Sequence, residues 1–148
     1  MRTLLCAALV VAACAPGEKS RTPAASAAAG PAQKYTGTWE GRSYRSQSDT
    51  GTPFRIVSTV VSDGSLRGTL MFIGINAPPV PIRTRQVTDT GLVDEIGPYN
   101  SPTMHQAVVT TATGKLRGDS LNGTFEMRPA GGGNPIMNGT FRSKRVGP

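Results

Sequence analysis

The chain has 148 residues, of which 37% are hydrophobic, 17% charged and 5% aromatic, with 18 Gly, 12 Pro and a formal charge of +7. That much Gly and Pro excludes a coiled coil or helical bundle, and the length leaves no room for a second large core. The basic excess raises the question of an anionic partner.

Met1-Arg2-Thr3 is a short positive start, followed by an apolar run from Leu4 to Ala13. Ten residues reach only about half of a bilayer, so the run predicts a signal-peptide core and not a spanning helix. It ends Val11-Ala12-Ala13-Cys14. This stretch resembles the lipobox of bacterial lipoprotein precursors, which reads Leu or Val, two small residues, then Cys. The resemblance implies cleavage before Cys14, acylation of its thiol and a lipid-anchored mature chain. Ala15, where an Asp favours inner-membrane retention in that family, points to the outer membrane, facing the periplasm, in preference to the inner one. The only other cysteine, Cys6, lies in the segment removed, so the mature chain holds no disulfide.

Residues 14–33 read as a lipidated N-terminus and disordered tether. From Ala15 to Gln33 there is Pro, Gly, Ser and Ala but no large apolar residue to offset ordering entropy. Such a segment reaches roughly 25 Å.

Residues 34–148 predict an all-β domain. Turn signals at Asp49-Thr50-Gly51, Asp63-Gly64, Asp89-Thr90-Gly91, Gly97-Pro98, Gly118-Asp119-Ser120 and Gly131-Gly132-Gly133 separate runs rich in Val, Ile, Thr, Phe and Tyr. Strands are expected near 35–45, 54–62, 65–73, 81–89, 91–96, 104–113, 115–118 with 121–128, and 137–146. The piece at 115–118 either stands alone or continues the strand before it. No helix longer than a turn or two is expected after the signal peptide.

A two-residue turn at Asp63-Gly64 sets Val61 opposite Leu66 and Val57 opposite Leu70, with Val57, Val61, Leu66, Leu70 and Phe72 on one face. Ile56, Val60 and Met71 then fall on the other face, and one extra turn residue swaps the two. The hairpin at Asp119-Ser120 alternates more cleanly. Leu116, Leu121, Phe125 and Met127 point in; Lys115, Arg117, Asn122, Thr124 and Glu126 point out. The last strand repeats this, with Met137, Gly139 and Phe141 opposed to Asn138, Thr140, Arg142 and Lys144.

Gly-Thr before a large apolar residue recurs at Gly37-Thr38-Trp39, Gly68-Thr69-Leu70, Gly123-Thr124-Phe125 and Gly139-Thr140-Phe141. Glycine lets a strand coil sharply, and the large residue beyond it fills the core. About eight short antiparallel strands of this kind predict an up-and-down meander, closed or half-open as a barrel, with a two-sheet sandwich as the alternative.

Tyr35-Thr36-Gly37-Thr38-Trp39 is similar to the opening strand of lipocalin-like (calycin) barrels, which begin Gly-x-Trp and lay an Arg from the last strand across the Trp. The resemblance implies a barrel-closing pair of Trp39 with Arg145, or with Arg142 as runner-up. It also implies an interior that takes small apolar ligands. The helix that follows the barrel in lipocalins is missing from this sequence. The candidate lining is Trp39, Leu70, Phe72, Phe125 and Phe141.

Catalytic chemistry finds little support. His105 is the only histidine and sits on an expected strand without an evident nucleophile. Asp94 and Glu95 are adjacent, so on a strand they face opposite ways and form no carboxylate pair. No phosphate loop, nucleophile elbow or dinucleotide fingerprint occurs, and one His with no free Cys disfavours a transition metal. The chain is therefore expected to be non-enzymatic, without metal or cofactor. The Pro-rich stretches Ala77–Pro81 and Ile96–Pro102 are expected as loops at one barrel mouth, where Tyr99 offers an amphipathic contact.

The leading expectation is an envelope lipoprotein whose barrel binds a small apolar ligand. The alternative is a structural or interaction protein with a filled barrel, acting through its loops or basic surface. Removing residues 1–13 takes away Arg2 and leaves 15 basic against 9 acidic residues; within 34–148 the balance is 13 to 8. The excess thus belongs to the domain, at positions such as Arg67, Arg83, Arg85, Arg117, Arg142 and Lys144. Export argues against a nucleic-acid partner, and leaves anionic lipid headgroups or other envelope polyanions as the expected contacts.

Overall fold

The computed structural model describes residues 30–148. The predicted signal peptide, Cys14 and most of the tether lie outside the described residues. β-branched and aromatic residues at alternating positions build eight strands: β1 (Gly37–Tyr44), β2 (Thr52–Val60), β3 (Leu66–Phe72), β4 (Val80–Val87), β5 (Gly91–Asn100), β6 (Ala107–Arg117), β7 (Ser120–Pro129) and β8 (Met137–Gly147). Each pairs antiparallel with its sequence neighbour, and β8 pairs with β1, so the meander closes into a barrel. Closure settles the choice between barrel and sandwich, and leaves no free sheet edge. The uncertain piece at 115–118 is the end of β6.

One end of the barrel is plugged. Tyr35, expected to open the first strand, instead ends a 3₁₀ turn, Pro31–Tyr35. The last residues assigned to the tether are part of that turn, and Ala32 and Tyr35 are buried against the core. Tyr35 Oη donates to the Thr88 carbonyl (2.9 Å), while the Tyr35 carbonyl accepts from Trp39 Nε1 (3.0 Å) and from Ser58 Oγ (2.5 Å). The turn is held by β1, β2 and the turn between β4 and β5, which is why an Ala- and Pro-rich segment orders here.

The first hairpin corrects the expected faces. β2 and β3 pair Val60 with Leu66, Ile56 with Leu70 and Phe54 with Phe72. Val61 N donates to Ser65 O (3.0 Å) and Gly64 N to Val61 O (2.9 Å), so the loop holds three residues, Ser62-Asp63-Gly64. Gly64 takes φ +81, and Asp63 Oδ1 accepts from Ser65 N at 2.8 Å. The third loop residue turns Phe54, Ile56 and Val60 inward and leaves Val57 and Val61 outside, 39% and 38% exposed. In the second hairpin the turn is Gly118-Asp119, one residue earlier than expected, with Leu116 opposite Leu121. The inward set on β6, β7 and β8 is the expected one.

Bulges in β5 and β4 shape the cavity wall. Between β5 and β6 the register shifts after Ile96, so Ile96 faces Thr110 and Tyr99 faces Val108. Gly97-Pro98-Tyr99-Asn100, expected as loop, is therefore strand, and the extra residue brings Tyr99 to the interior face. His105, expected on a strand, lies in the loop before β6 with φ +52, its N–H donating to the Ser101 carbonyl (2.9 Å). The second bulge, at Arg85 on β4, keeps Thr84 directly opposite Asp94.

Candidate functional site

Closure at one end and loops at the other leave a cavity of about 110 Å³ inside the barrel. Apolar side chains from most of the strands wall it: Phe54 and Ile56 of β2, Leu70 and Phe72 of β3, Ile96 of β5, Ala112 of β6, Leu121 and Phe125 of β7, and Phe141 of β8. The mouth is more polar, with Arg45, Thr52, Ser101 and Thr103. Ile75 and Pro102 border the same space, so the loops after β3 and β5 share one end of the barrel. At the mouth Arg45 pairs with Asp49, its Nε donating to Oδ2 at 3.2 Å.

The cavity has two polar features that composition did not reveal. Tyr99 and Thr110 hydroxyls lie 3.1 Å apart, and the Tyr99 ring packs on Phe72 with centroids 6.0 Å apart. Burial raises the Tyr99 phenol above its ordinary range. Deeper, Asp94 of β5 points inward and is 9% exposed. Its Oδ1 accepts a hydrogen bond from Thr84 Oγ1 at 2.6 Å. Desolvation pushes the carboxyl up to about 6, although the Thr84 bond favours the charged form. Asp94 also borders a second interior space of about 20 Å³ toward the plugged end, beside Tyr35, Trp39 and Ser58. The phenol of Tyr35 is raised by burial and by the carboxylates of Asp89 and Asp94.

Of the five residues expected to line the site, Leu70, Phe72, Phe125 and Phe141 border the main cavity. Trp39 does not. It is 2% exposed in the plugged end, where Tyr35 and Arg145 cover it. The Arg145 guanidinium lies over the Trp39 ring, 4.3 Å from its centroid. It also donates to the carbonyls of Thr36 and Lys34, and to Asp119 Oδ1 at 3.2 Å. A register shift between Thr38 and Trp39 sets Arg145 directly across from the indole, whereas Arg142 points to solvent.

Sequence reasoning placed Tyr99 on a loop at the mouth and weighed Asp94 only as half of a carboxylate pair with Glu95; the structure brings both to the cavity wall. The signal for Asp94 was its place in Leu92-Val93-Asp94-Glu95-Ile96, where it shares the parity of two large apolar residues. Nothing in the sequence marks the bulge that turns Tyr99 inward. Among the described residues no group of three or more His, Cys, Asp or Glu is arranged to hold a metal ion.

A groove of about 1140 Å³ lies on the outside, along β6 to β8, lined by Thr111, Thr113, Thr124, Thr140, Arg128 and Arg142 among others. It is open to solvent and its threonine and arginine side chains are exposed, so it lacks the enclosure by which small-molecule sites exclude water.

No protein-family model matches the chain, and no curated protein does. Among solved structures it is similar to the crystal structure of rhizavidin, with 17% identity over 78% of this chain and 92% of that one, at a TM-score of 0.43.

Proposed function

We propose that the protein is a membrane-anchored envelope lipoprotein whose barrel takes up a small, largely apolar molecule. The observation that carries this reading is the aromatic-walled cavity inside the barrel, beneath the loops at the open end. An eight-stranded barrel either fills its interior with side chains or holds one ligand, and this one keeps space. The lipid anchor rests on the lipobox-like run ending at Cys14. The described residues begin at Gly30, and β1 begins and β8 ends at the plugged end, on the side opposite the mouth.

Native mass spectrometry of the protein purified from its own host tests the binding function. A reproducible small-molecule adduct, lost when the cavity is blocked, supports it. A ligand-free mass together with no uptake of apolar dyes overturns it. The anchor has a separate test. Cys14→Ser should release the protein from the membrane fraction, and retention of fully processed Cys14→Ser protein on the membrane refutes lipidation.

A further inference from the structure

The cavity holds a carboxylate with no counter-charge among the described residues. Asp94 takes part in none of the six ion pairs among the described residues. Its Oδ1 is satisfied by Thr84, and no described residue donates to Oδ2. The charged and titratable groups around it give no counter-charge. Tyr99, from its own strand, and Tyr35, from the plugged end, are phenols held in their neutral form. Arg67 of β3 borders the smaller space together with Asp94 but has the outward parity of its strand and acts on Asp63, and Arg45 sits at the mouth, paired with Asp49. The neighbouring strands present Thr84, Thr110 and Ala112, and Glu95 points outward to Arg85.

A buried carboxylate without a counter-ion is costly, and an apolar residue of similar size would give a more stable barrel. Groups kept in such surroundings inside a cavity are candidates for ligand contact. We infer that the ligand of this cavity is an apolar molecule carrying a protonated nitrogen, which seats against Asp94 while its hydrocarbon body lies among Phe54, Leu70, Phe72, Phe125 and Phe141. This inference rests on the small-ligand reading above and names the chemical class that the reading leaves open. The nitrogen supplies the missing cation and the donor that Oδ2 lacks, in a setting where charge-assisted hydrogen bonds are strong. The phenyl walls accept the rest of the molecule.

The test compares 2-phenylethylamine with 2-phenylethanol, near-isosteric probes that differ in charge. Calorimetric titration is run on the full chain carrying Cys14→Ser, so that neither lipid nor detergent competes. At pH 7.5 the amine should bind at least about tenfold tighter than the alcohol, as expected for a hydrogen-bonded charge pair. Asp94→Asn, which keeps the shape, should abolish that preference. Should the variant fold poorly, the wild type carries the same test by pH: the ammonium stays charged while Asp94 takes up its proton, so amine affinity should fall about tenfold between pH 7.5 and pH 5 and alcohol affinity should not. Equal binding of the two probes, or a preference that survives both Asp94→Asn and acid, overturns the cation inference and leaves the cavity reading standing. Binding of neither probe overturns both.

Discussion

Gly139 of β8 stands directly opposite Phe125 of β7, and the phenyl ring occupies the space where a side chain at 139 would be. A Cβ there would come within 2.7 Å of ring atoms Cε1 and Cζ, and within 2.2 Å of the Tyr44 carbonyl oxygen on the other side. Gly139→Ala is therefore expected to cost at least about 3 kcal/mol, at the upper end for overpacking, because a backbone atom cannot move aside as a side chain can. Adding Phe125→Leu frees the ring contact but not the carbonyl contact, so the double variant should recover only part of the loss. Gly131→Ala, where a Cβ meets nothing within 4 Å, should stay within about 0.5 kcal/mol of wild type. Urea unfolding of the four proteins checks the order.

This pairing explains why the repeat was readable. Gly123-Thr124-Phe125 and Gly139-Thr140-Phe141 run antiparallel, so Phe125 meets Gly139, Phe141 meets Gly123 and the two threonines face each other outside. A motif of one small and one large inward residue, read in opposite directions, packs against itself, and its period of two announces a strand. The same logic failed at the first hairpin because both of its faces are apolar. Val57 and Val61 compete with Ile56 and Val60, and hydrophobic pattern cannot choose between them. Loop length chooses, and three residues against two is a matter of one hydrogen bond, from Val61 N to Ser65 O. Trp39 was legible as a core residue and as Arg145's partner. Its distance from the cavity was not legible, because that depends on Tyr35 folding under the barrel instead of entering β1.

Arg145 ties the plugged end together, and its removal should loosen that end first. Its guanidinium stacks on Trp39 and donates to two backbone carbonyls of the 3₁₀ turn region, those of Lys34 and Thr36. The contact with Asp119 is discounted, since that carboxylate is 80% exposed. Stacking and the two charge-assisted bonds together suggest a loss of about 2–4 kcal/mol for Arg145→Ala. Arg145→Lys should recover less than half, because an ammonium lacks the planar fork that reaches both carbonyls while covering the indole. Trp39 is the only tryptophan, so its emission reports this end of the barrel directly. A red shift in Arg145→Ala with none in Arg142→Ala is the expected pattern.

Asp94 makes stability depend on pH in an unusual direction. The folded protein holds the carboxyl at about 6, above its ordinary value of 3.8, so the native state binds the proton more tightly than the unfolded chain. Protonation therefore favours folding. The Asp94 contribution is most favourable below about pH 4, declines as pH rises through 6 and is flat above 7. The difference corresponds to about 3 kcal/mol between the two limits. Asp94→Asn removes the ionisation, so it should unfold at higher denaturant than wild type at pH 7.5 and close to wild type at pH 4. A variant equal to or weaker than wild type at pH 7.5 would contradict the assignment of Asp94 as a desolvated, unpaired carboxylate.

The cavity itself can be closed with Asp94 and the aromatic walls left unsubstituted, from a position directly opposite both Asp94 and Phe125. Ala112 of β6 is buried, and its small side chain borders the same space as Phe125 and Phe141. Ala112→Leu adds three carbons that point into the opening and replace it with side-chain contacts. In a filled core such an addition strains its neighbours, but here it meets a space of about 110 Å³. The variant should keep or raise stability by about 0.5–2 kcal/mol, as cavity-filling changes do. It should also lose at least about tenfold in affinity for any molecule that wild type binds inside the barrel. Thermal melts give the first quantity and titration of the bound molecule, or of an apolar dye, gives the second. Stability retained with binding lost places the ligand inside the barrel. Undiminished binding to a folded Ala112→Leu protein moves the site to the exterior groove along β6 to β8 and removes the cavity as its seat.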